Sequence, residues 1–400
     1  MKEKIKKIIS KHISEKNKKK IKSIIGEQEI QKNDYYVNKK IDKKKLRISF
    51  VIPQPIIGSG GHRNIYRIVR YLAHKGYDVT CYIDPEGLCD PSHVRTGMEA
   101  YRKITDNFFD LECNIVFDVN DIKECDVLFA THAASAYIVK RNEDKYKLGC
   151  YFIQDYESYF FPMGDNYLIF HNTYKLGLYP ITSGPWPLEL LKRDFNITEG
   201  NYFRFPINTD IYYFDNNKTR KDNRVIFFAK PGMPRRCYNL GIQALKIFKD
   251  KYPDAEIVLY GEDSSHYNNV PFEFTNLGLL PTIGDLGNLY RSASIGIAFS
   301  TTNPSLVPYE MMACGCAVID FDFNNSVVSY DNYDNAELVD TTPEEIAKGI
   351  EKLYTSNELR SNKVKNALEF VKIFPSEEKM CKLIEGYILD AYKRKAKGKK

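Results

Sequence analysis

The sequence alternates short apolar runs with amphipathic stretches over most of its length, and this alternation is the feature that most constrains its fold. The strand-like run LRISFVIPQ, residues 46–54, precedes a glycine loop, the helical stretch NIYRIVRYLAHKG and a second strand-like run, DVTCYI. Similar runs, CNIVFDV, DVLFAT and GCYFIQD, follow. Strands that alternate with helices predict a parallel sheet covered on both faces. The first half of the chain is therefore predicted to be a doubly wound α/β domain.

The alternation is interrupted once and then resumes. The irregular segment FRFPINTDIYYF, residues 203–214, contains Pro206 and several turn-forming residues, after which VIFFAK, AEIVLYG and CAVIDF alternate with helical stretches. With 43% hydrophobic residues among 400, each half can form a full core. We predict two Rossmann-like domains joined near Pro206. The predicted parts are a basic N-terminal extension, the two domains, and a C-terminal helix with a basic tail: 1–45, 46–205, 206–375 and 376–400.

The net charge of +6 is concentrated at the two ends of the chain. Residues 1–47 hold 17 Lys and Arg against 6 Asp and Glu, and residues 393–400 add six cations, so the remaining body is acidic. An acidic body argues against a nucleic-acid partner. Segment 1–25 places isoleucines among lysines on one helical face, which fits either an interfacial helix on anionic lipid or a solvated extension. Peripheral contact with the inner membrane through the basic ends therefore stays open.

Several protein classes are disfavoured by features that the sequence lacks. No apolar run reaches the roughly 18 residues of a membrane span, and the charged N-terminus has no signal-peptide core, which predicts a cytoplasmic protein. The nine cysteines form no CxxC pairs, as is typical of a reducing compartment. The seven histidines form no HxxxH or HExxH motif, so we predict no metal site.

A glycine loop joins the first strand to the first helix in QPIIGSGGHRNIYRI. Gly58, Gly60 and Gly61 allow a backbone to approach an anion closely, and a helix N-terminus adds partial positive charge. The third glycine of a dinucleotide fingerprint would fall at Arg63, so that fingerprint is incomplete. The loop is predicted to bind phosphate, with a plain tight turn as the alternative.

A cluster of cations stands between a strand and a helix in FFAKPGMPRRCYNLGIQAL, which contains Lys230, Arg235 and Arg236. Clustering like charges costs free energy unless an anion lies among them, and a diphosphate meets that need. Open parallel sheets bind ligands at such strand ends. We predict that the three cations bind a diphosphate and act in catalysis, with a solvated basic turn as the alternative.

Carboxylates and histidines supply further candidates. Glu310, on a short predicted helix, would accept hydrogen bonds from ribose hydroxyls. Asp155 and Glu157, at the end of the strand YFIQDYE, would orient or deprotonate an acceptor hydroxyl, and His132 and His62 are weaker candidates. The aromatic residues that follow this strand either support an acceptor or pack on the core. They are Tyr156, Tyr159 and Phe160.

These pieces, in this order, resemble the family-4 glycosyltransferases, and the resemblance covers most of residues 46–375. Gly60-Gly61 matches the glycine pair of the family's first loop, 76–79 matches its Gly-His/Tyr-x-Val step, and 206–210 is an altered form of its interdomain motif. The resemblance implies the GT-B fold, in which two doubly wound Rossmann-like domains face each other with their parallel sheets across a cleft. The first domain would hold the acceptor and the second the nucleotide-sugar donor.

The resemblance also implies roles for residues of the second domain. Lys230 and either Arg235 or Arg236 match the family's phosphate-binding cations, with the residue types exchanged and a spacing one residue longer. Glu310 matches the second Glu of the family's signature, and Thr302 stands where the first would be. Three residues stand where the family places backbone N–H groups near phosphate and sugar: Ser305, Leu306 and Val307.

Within the family, YFIQDYESYFFPMG, LGLYPITSG and the double arginine are most similar to bacterial rhamnosyltransferases. This similarity implies metal-independent, retaining transfer of L-rhamnose from dTDP-L-rhamnose, without a further cofactor, to a glycan or lipid-linked glycan of a surface polysaccharide. A 6-deoxy sugar has one hydroxyl fewer, which suits the loss of an acidic residue at Thr302. Two alternatives remain: a non-catalytic GT-B scaffold, and a nucleotide-dependent oxidoreductase or epimerase with Asp78 or Asp84 on the ribose.

Overall fold

A computed structural model describes residues 34–35, 45–84, 96–217 and 220–397. The segment 1–25, for which an interfacial helix is one prediction, and the end of the basic tail, 398–400, lie outside the described residues. The described chain forms two α/β domains, each built on one sheet.

The sheet of the first domain is parallel except at one edge. Its strands are β1 (Asp34–Tyr35), β2 (Arg47–Pro53), β3 (Asp78–Asp84), β4 (Asn114–Val116), β5 (Cys125–Ala130), β6 (Tyr146–Ile153), β7 (Tyr179–Ser183) and β8 (Asn201–Phe203). In space they follow the order β1-β4-β3-β2-β5-β6-β7-β8, and β1 pairs antiparallel with β4. The described α-helices of this domain are α1 (Gly60–His74), α2 (Gly97–Asn107), α3 (Ala133–Arg141), α4 (Asp165–Asn172) and α5 (Pro185–Phe195).

The sheet of the second domain is parallel throughout its described strands. They are β9 (Lys221–Phe228), β10 (Glu256–Tyr260), β11 (Thr275–Gly278), β12 (Ala293–Ile297), β13 (Ala317–Phe321) and β14 (Glu337–Val339), in the spatial order β11-β10-β9-β12-β13-β14. The helices that follow the first domain are α6 (Tyr238–Lys251), α7 (Ile283–Ser292), α8 (Val307–Ala313), α9 (Val327–Tyr330), α10 (Pro343–Thr355), α11 (Asn357–Phe370) and α12 (Glu377–Lys397).

Both faces of each sheet are buried, which explains why the strands read as nearly continuous apolar runs. Successive side chains of a strand point to opposite faces. In β2, Phe50 belongs to one core cluster and Val51 to another, and in β9 Phe227 and Ile226 are divided in the same way. The prediction of two doubly wound α/β domains is therefore confirmed.

The C-terminal helix α12 returns from the second domain and packs on the first. Met380 and Ile384 are fully buried in the core of the first domain. The Glu385 carboxylate accepts hydrogen bonds from the hydroxyls of Tyr71 and Tyr77, at 2.8 and 2.7 Å. The domains are thus joined twice, by the segment that leaves β8 and by the segment that enters α12. None of the helices in the described ranges combines the length and apolar character that a membrane crossing requires.

Two glycines on helices provide an internal test of this packing. A Cβ on Gly241 of α6 would overlap the Phe227 ring, whereas a Cβ on Gly386 of α12 would meet no atom within 4 Å. We expect Gly241→Ala to lower the free energy of unfolding by about 1–3 kcal/mol through overpacking. Gly386→Ala, the matched control, should raise it by about 0.5–1 kcal/mol because alanine loses less backbone entropy in a helix. Urea denaturation measures both values, and a stable Gly241→Ala variant would contradict the packing of α6 on β9.

Candidate active site

The carboxyl ends of strands from both sheets border one cleft of about 1400 Å³. The strand order reverses between β2 and β5 in the first sheet and between β9 and β12 in the second, and doubly wound domains bind ligands at such points. The cleft brings together the residues that the sequence predicts to be catalytic or to bind the donor. They are Gly60, Gly61, Asp155, Lys230, Arg235, Arg236, Ser305, Leu306, Val307 and Glu310.

The glycine loop forms part of the first-domain wall. Gly58 has a φ of +77°, in the left-handed region that favours glycine, and Ser59 caps α1 by accepting the backbone N–H of His62 at 3.3 Å. The Gln154 side chain donates to the Gly61 carbonyl at 3.1 Å. A Cβ on Gly60 would meet no atom within 4 Å. The loop is therefore fixed to the end of β6 and leaves open space over Gly60.

The cation turn connects β9 to α6 through a strained backbone. A one-turn 3₁₀ helix spans Pro234–Arg236, and Cys237 then adopts a left-handed φ of 48° before α6 begins at Tyr238. A left-handed conformation costs a non-glycine residue about 1–2 kcal/mol. Strain of this kind clusters at ligand-binding turns.

Lys230 is held at the edge of the cleft by the next strand end. Its ammonium donates to the Gly261 carbonyl at 2.6 Å and lies 3.2 Å from the Glu262 carboxylate. Both side chains of this ion pair are mostly buried. Lys230 is thereby oriented, but its charge is already partly neutralised.

The two arginines are less completely satisfied. The Arg236 side chain is buried and donates to the Phe299 carbonyl at 3.4 Å, and the Arg235 guanidinium lies over the Phe160 ring at 4.6 Å. Within the described part of the chain, the buried Nε of each arginine has no hydrogen-bond partner. Each guanidinium therefore keeps donor capacity at the cleft wall.

Opposing charges act on the buried Arg236. Burial lowers the pKa of its guanidinium and the neighbouring Arg235 lowers it further, whereas Asp155 and Asp320 act in the opposite direction. Burial also raises the pKa of Asp320 to about 7, although its carboxylate accepts the Ser300 N–H at 2.8 Å and the Tyr330 hydroxyl at 2.6 Å. An anion in the cleft would stabilise both arginines.

Asp155 lies between the domains rather than free at the cleft surface. Its carboxylate accepts the Thr302 hydroxyl at 2.9 Å and the backbone N–H of Asn303 at 3.0 Å. The same oxygen that accepts from Asn303 also accepts the backbone N–H of Tyr156, at 2.8 Å. Asp155 and Thr302 are therefore direct partners, although they are 147 positions apart.

Glu310 and the segment Ser305–Val307 form the second-domain wall near β12. Burial alone raises the pKa of Glu310 to about 7. No side chain caps α8, whose N-terminal N–H groups follow Leu306, and the Ser305 hydroxyl is buried without a hydrogen-bond partner among the described residues. This wall offers both donors and a carboxylate to a ligand.

The first-domain wall also contains His132 and Glu157. Burial lowers the pKa of His132 to about 3, and within the described ranges neither of its ring nitrogens has a hydrogen-bond partner. Glu157 accepts the backbone N–H of Ala133, at the start of α3, at 2.8 Å, and burial raises its pKa to about 8. His62, in contrast, contacts Ser59 and the Pro53 carbonyl and is held in the glycine loop.

The aromatic residues after β6 divide between core and cleft. Tyr156 is 2% exposed and stacks on Tyr174 at 4.8 Å, so it packs in the first-domain core. The Tyr159 hydroxyl accepts a hydrogen bond from Asn324 of the second domain at 3.4 Å. Phe160, at 42% exposed, is a cleft residue of this group and touches Arg235.

Asn303 is a cleft residue that sequence reasoning missed. Its amide donates to the carbonyls of Gln154 and Ser183, at 2.9 and 2.7 Å, and so binds the ends of β6 and β7. Its position directly after Thr302 is the sequence feature that could have identified it. In the described ranges, no three His, Cys, Asp or Glu side chains are grouped so as to hold a metal ion.

Comparison with known proteins gives two sequence matches. The chain is 30% identical to the O-antigen biosynthesis protein RfbC of Myxococcus xanthus over 275 residues, which are 68% of this chain and 21% of that protein. The chain thus spans about a fifth of the length of this relative. Residues 223–351, which contain the cation turn and Glu310, match the family described as WsaF, C-terminal domain.

Solved structures give the fold. HepE of Anabaena, determined in complex with UDP, has a TM-score of 0.65 and 13% identity, with 86% of this chain and 100% of that chain covered. Sucrose-phosphate synthase of Thermosynechococcus elongatus has a TM-score of 0.62 and 13% identity, with 87% and 100% covered.

These findings confirm the predicted fold: the chain has the GT-B fold that it shares with solved glycosyltransferase structures. More particularly, part of its second domain matches the model of the WsaF C-terminal domain, and a protein of O-antigen biosynthesis is a sequence relative. Rhamnose, retention and the roles of the individual site residues stay predictions.

The raised pKa of Glu310 predicts a dependence of stability on pH. Because its pKa rises from 4.5 to about 7 on folding, the folded state binds the proton more tightly than the unfolded state. Its contribution to stability is full below pH 4.5 and is lost as the pH rises towards 7. We expect Glu310→Gln to exceed the wild type in stability by up to about 3 kcal/mol at pH 8 and by little at pH 4.5.

Differential scanning calorimetry at both pH values measures this difference. Glu344→Gln, which replaces an exposed glutamate, is the control and should change the melting temperature little at either pH. An equal effect of Glu310→Gln at pH 4.5 and pH 8 would contradict the assignment.

Proposed function

We propose that this chain transfers a sugar from a nucleoside-diphosphate donor to a glycan acceptor in the assembly of a surface polysaccharide. The observation that carries the proposal is the pair of arginines in the cleft, whose buried Nε groups lack partners in the described part of the chain. A diphosphate supplies the anionic oxygens that such a pair needs. Glu310, which lines the same cleft, suits the ribose hydroxyls.

The geometry supports electrostatic catalysis of the leaving group. In the transfer, the bond between the anomeric carbon and the diphosphate oxygen breaks, and its electron pair leaves with the diphosphate. The cations Lys230, Arg235 and Arg236 would stabilise that developing charge, in a site where they are preorganised. The acceptor hydroxyl oxygen forms the new bond to the anomeric carbon and loses its proton.

On the acceptor side, we assign to Glu157 the role of the general base that accepts the proton of the acceptor hydroxyl. A general base is most effective when its pKa lies near the working pH, and burial brings that of Glu157 to about 8. His132 stays neutral at physiological pH and offers a ring nitrogen to a sugar hydroxyl. Phe160 and Phe170 line the same wall and suit the apolar face of a sugar ring.

For the donor, we propose dTDP-L-rhamnose, transferred with retention and without a metal. The Thr302 hydroxyl is bonded to Asp155, and no carboxylate occupies its position to bind a further sugar hydroxyl. A 6-deoxy sugar requires one hydroxyl partner fewer. The cytoplasmic location and a membrane contact through the basic ends belong to the same proposal.

The cation assignment is tested by Arg236→Ala. Loss of one preorganised contact to the leaving group should lower the turnover of dTDP-L-rhamnose by about 10²–10³-fold and weaken the binding of dTDP. Lys246→Ala, which removes an exposed lysine on α6, is the matched control and should behave as the wild type. Calorimetry with dTDP, UDP and GDP measures binding and a product assay measures turnover. Unchanged turnover in Arg236→Ala would refute the assignment. If the wild-type protein bound NAD and none of the three nucleoside diphosphates, an oxidoreductase would be favoured instead.

The acceptor-side base is tested by pH dependence. Glu157 must be ionised to accept a proton, so kcat should rise as the pH increases from 7 towards 9, with an apparent pKa near 8. Glu157→Gln should lower kcat at least about 10²-fold and remove that limb. Glu143→Gln, which replaces an exposed glutamate just after α3, should keep both the kcat of the wild type and its pH dependence. An unchanged pH limb in Glu157→Gln would exclude Glu157 as the base.

A further inference from the structure

We propose that Asp155 is a positioning residue: its carboxylate is the internal counter-charge of Arg235 and Arg236 and ties the donor-domain loop Ser300–Asn303 to the acceptor domain. The inference rests on the proposed function, because the two arginines are taken to bind the diphosphate. It assigns to Asp155 a role other than the acceptor-side base that its position at a strand end suggests.

The first support is the set of hydrogen bonds across the cleft. Thr302 and Asn303 both donate to the Asp155 carboxylate, and the Asn303 amide donates to carbonyls at the ends of β6 and β7. Four hydrogen bonds, at 2.7–3.0 Å, thus connect two consecutive residues of the second domain to the first. A hydrogen bond to a charged group contributes more than one between neutral groups. We call this set the Asp155 latch.

The second support is the path from the latch to the arginine turn. The backbone N–H of Thr301, one residue before Thr302, donates to the Arg235 carbonyl at 3.1 Å. The backbone N–H of Ser300 donates to Asp320, which lies close enough to Arg236 to influence its pKa. The latch therefore fixes the loop whose backbone holds the turn, and a shift between the domains moves the arginines.

The third support is the charge balance of the cleft. Asp155 lines the same cleft as Arg235 and Arg236. Burial raises the pKa of its carboxyl group, whereas the hydrogen bonds from Asn303 and Thr302 and the charges of the two arginines favour its ionised form. The same two arginines are the proposed partners of the diphosphate. Before a donor binds, Asp155 thus partly neutralises them, and an incoming diphosphate must compete with it. A carboxylate already engaged by three donors is also poorly placed to accept a proton from a substrate.

Two variants separate the charge of Asp155 from its hydrogen bonds. Asp155→Asn removes the competing charge and nearly keeps the volume, so dTDP and UDP should bind several-fold more tightly while kcat falls about 10-fold or more. Thr302→Val breaks one latch bond and keeps the charge, so kcat/KM should fall by about 10–100-fold without tighter nucleotide binding. Thr302→Ser restores the hydroxyl and should rescue the activity. If Asp155 acted as a general base instead, Asp155→Asn would leave the nucleotide affinity unchanged. That result would overturn the proposal that Asp155 is the counter-charge of the two arginines.

A second measurement tests the latch without any nucleotide. Trp186 is the only tryptophan of the sequence, is 3% exposed, and donates through its indole N–H to the Asn324 carbonyl of the second domain at 2.8 Å. Opening of the cleft should expose the indole to water, so the fluorescence emission of the Thr302→Val variant should shift to the red. The radius of gyration of this variant, measured by X-ray scattering, should increase. Thr302→Ser should match the wild type in both.

The outcomes distinguish this inference from the proposed function. If the wild type binds no nucleoside diphosphate, the proposed function fails, and the tryptophan emission still decides whether the latch exists. Unchanged emission and scattering in both Thr302→Val and Asn303→Ala overturn the latch. Circular dichroism checks the folding of each variant, and Asn303→Ala replaces any variant that does not fold.

Discussion

The repulsion between two adjacent arginines, the half-buried Arg235 and the buried Arg236, is the interaction on which the rest of the site depends. Arg235 and Arg236 lie in the turn that ends at the strained Cys237 and at the wall of a cleft, where water screens their charges less than at a free surface. Such a pair is stable only with anions nearby. The fold supplies Asp320 from the second domain and Asp155 from the first, and the proposed substrate supplies a diphosphate. The charge balance therefore links donor binding to the contact between the domains.

That contact exists because the strands of both sheets end at the same cleft. The loops after β2, β5 and β6 meet the loops after β9 and β12, so each wall is formed by strand ends, where backbone groups are available for hydrogen bonds. The return of α12 to the first domain provides a second connection between the domains, because the buried face of this helix belongs to the first-domain core. Burial in the cleft disfavours the charged form of each group. It therefore raises the pKa of the carboxyl groups of Glu157 and Glu310 and lowers that of the His132 imidazole.

The sequence predicts those features that are local. The periodicity of apolar residues gave both doubly wound domains, and the strand-to-helix turns gave the glycine loop and the cation turn, because strand ends of a parallel sheet converge. Contacts between distant segments could not be predicted. Thr302 is conspicuous only because an acidic residue is expected there, and nothing near it indicates Asp155 as its partner. Likewise, the amphipathic pattern of α12 predicts a helix, but not its packing against Tyr71 and Tyr77.

The measurement that tests the central claim most directly is a crystal structure of the protein in complex with dTDP. The account predicts that the diphosphate oxygens lie within hydrogen-bonding distance of the Arg235 and Arg236 guanidiniums and that the ribose hydroxyls face Glu310. A nucleotide bound instead along the glycine loop of the first domain, with Arg236 still donating only to the Phe299 carbonyl, would contradict it.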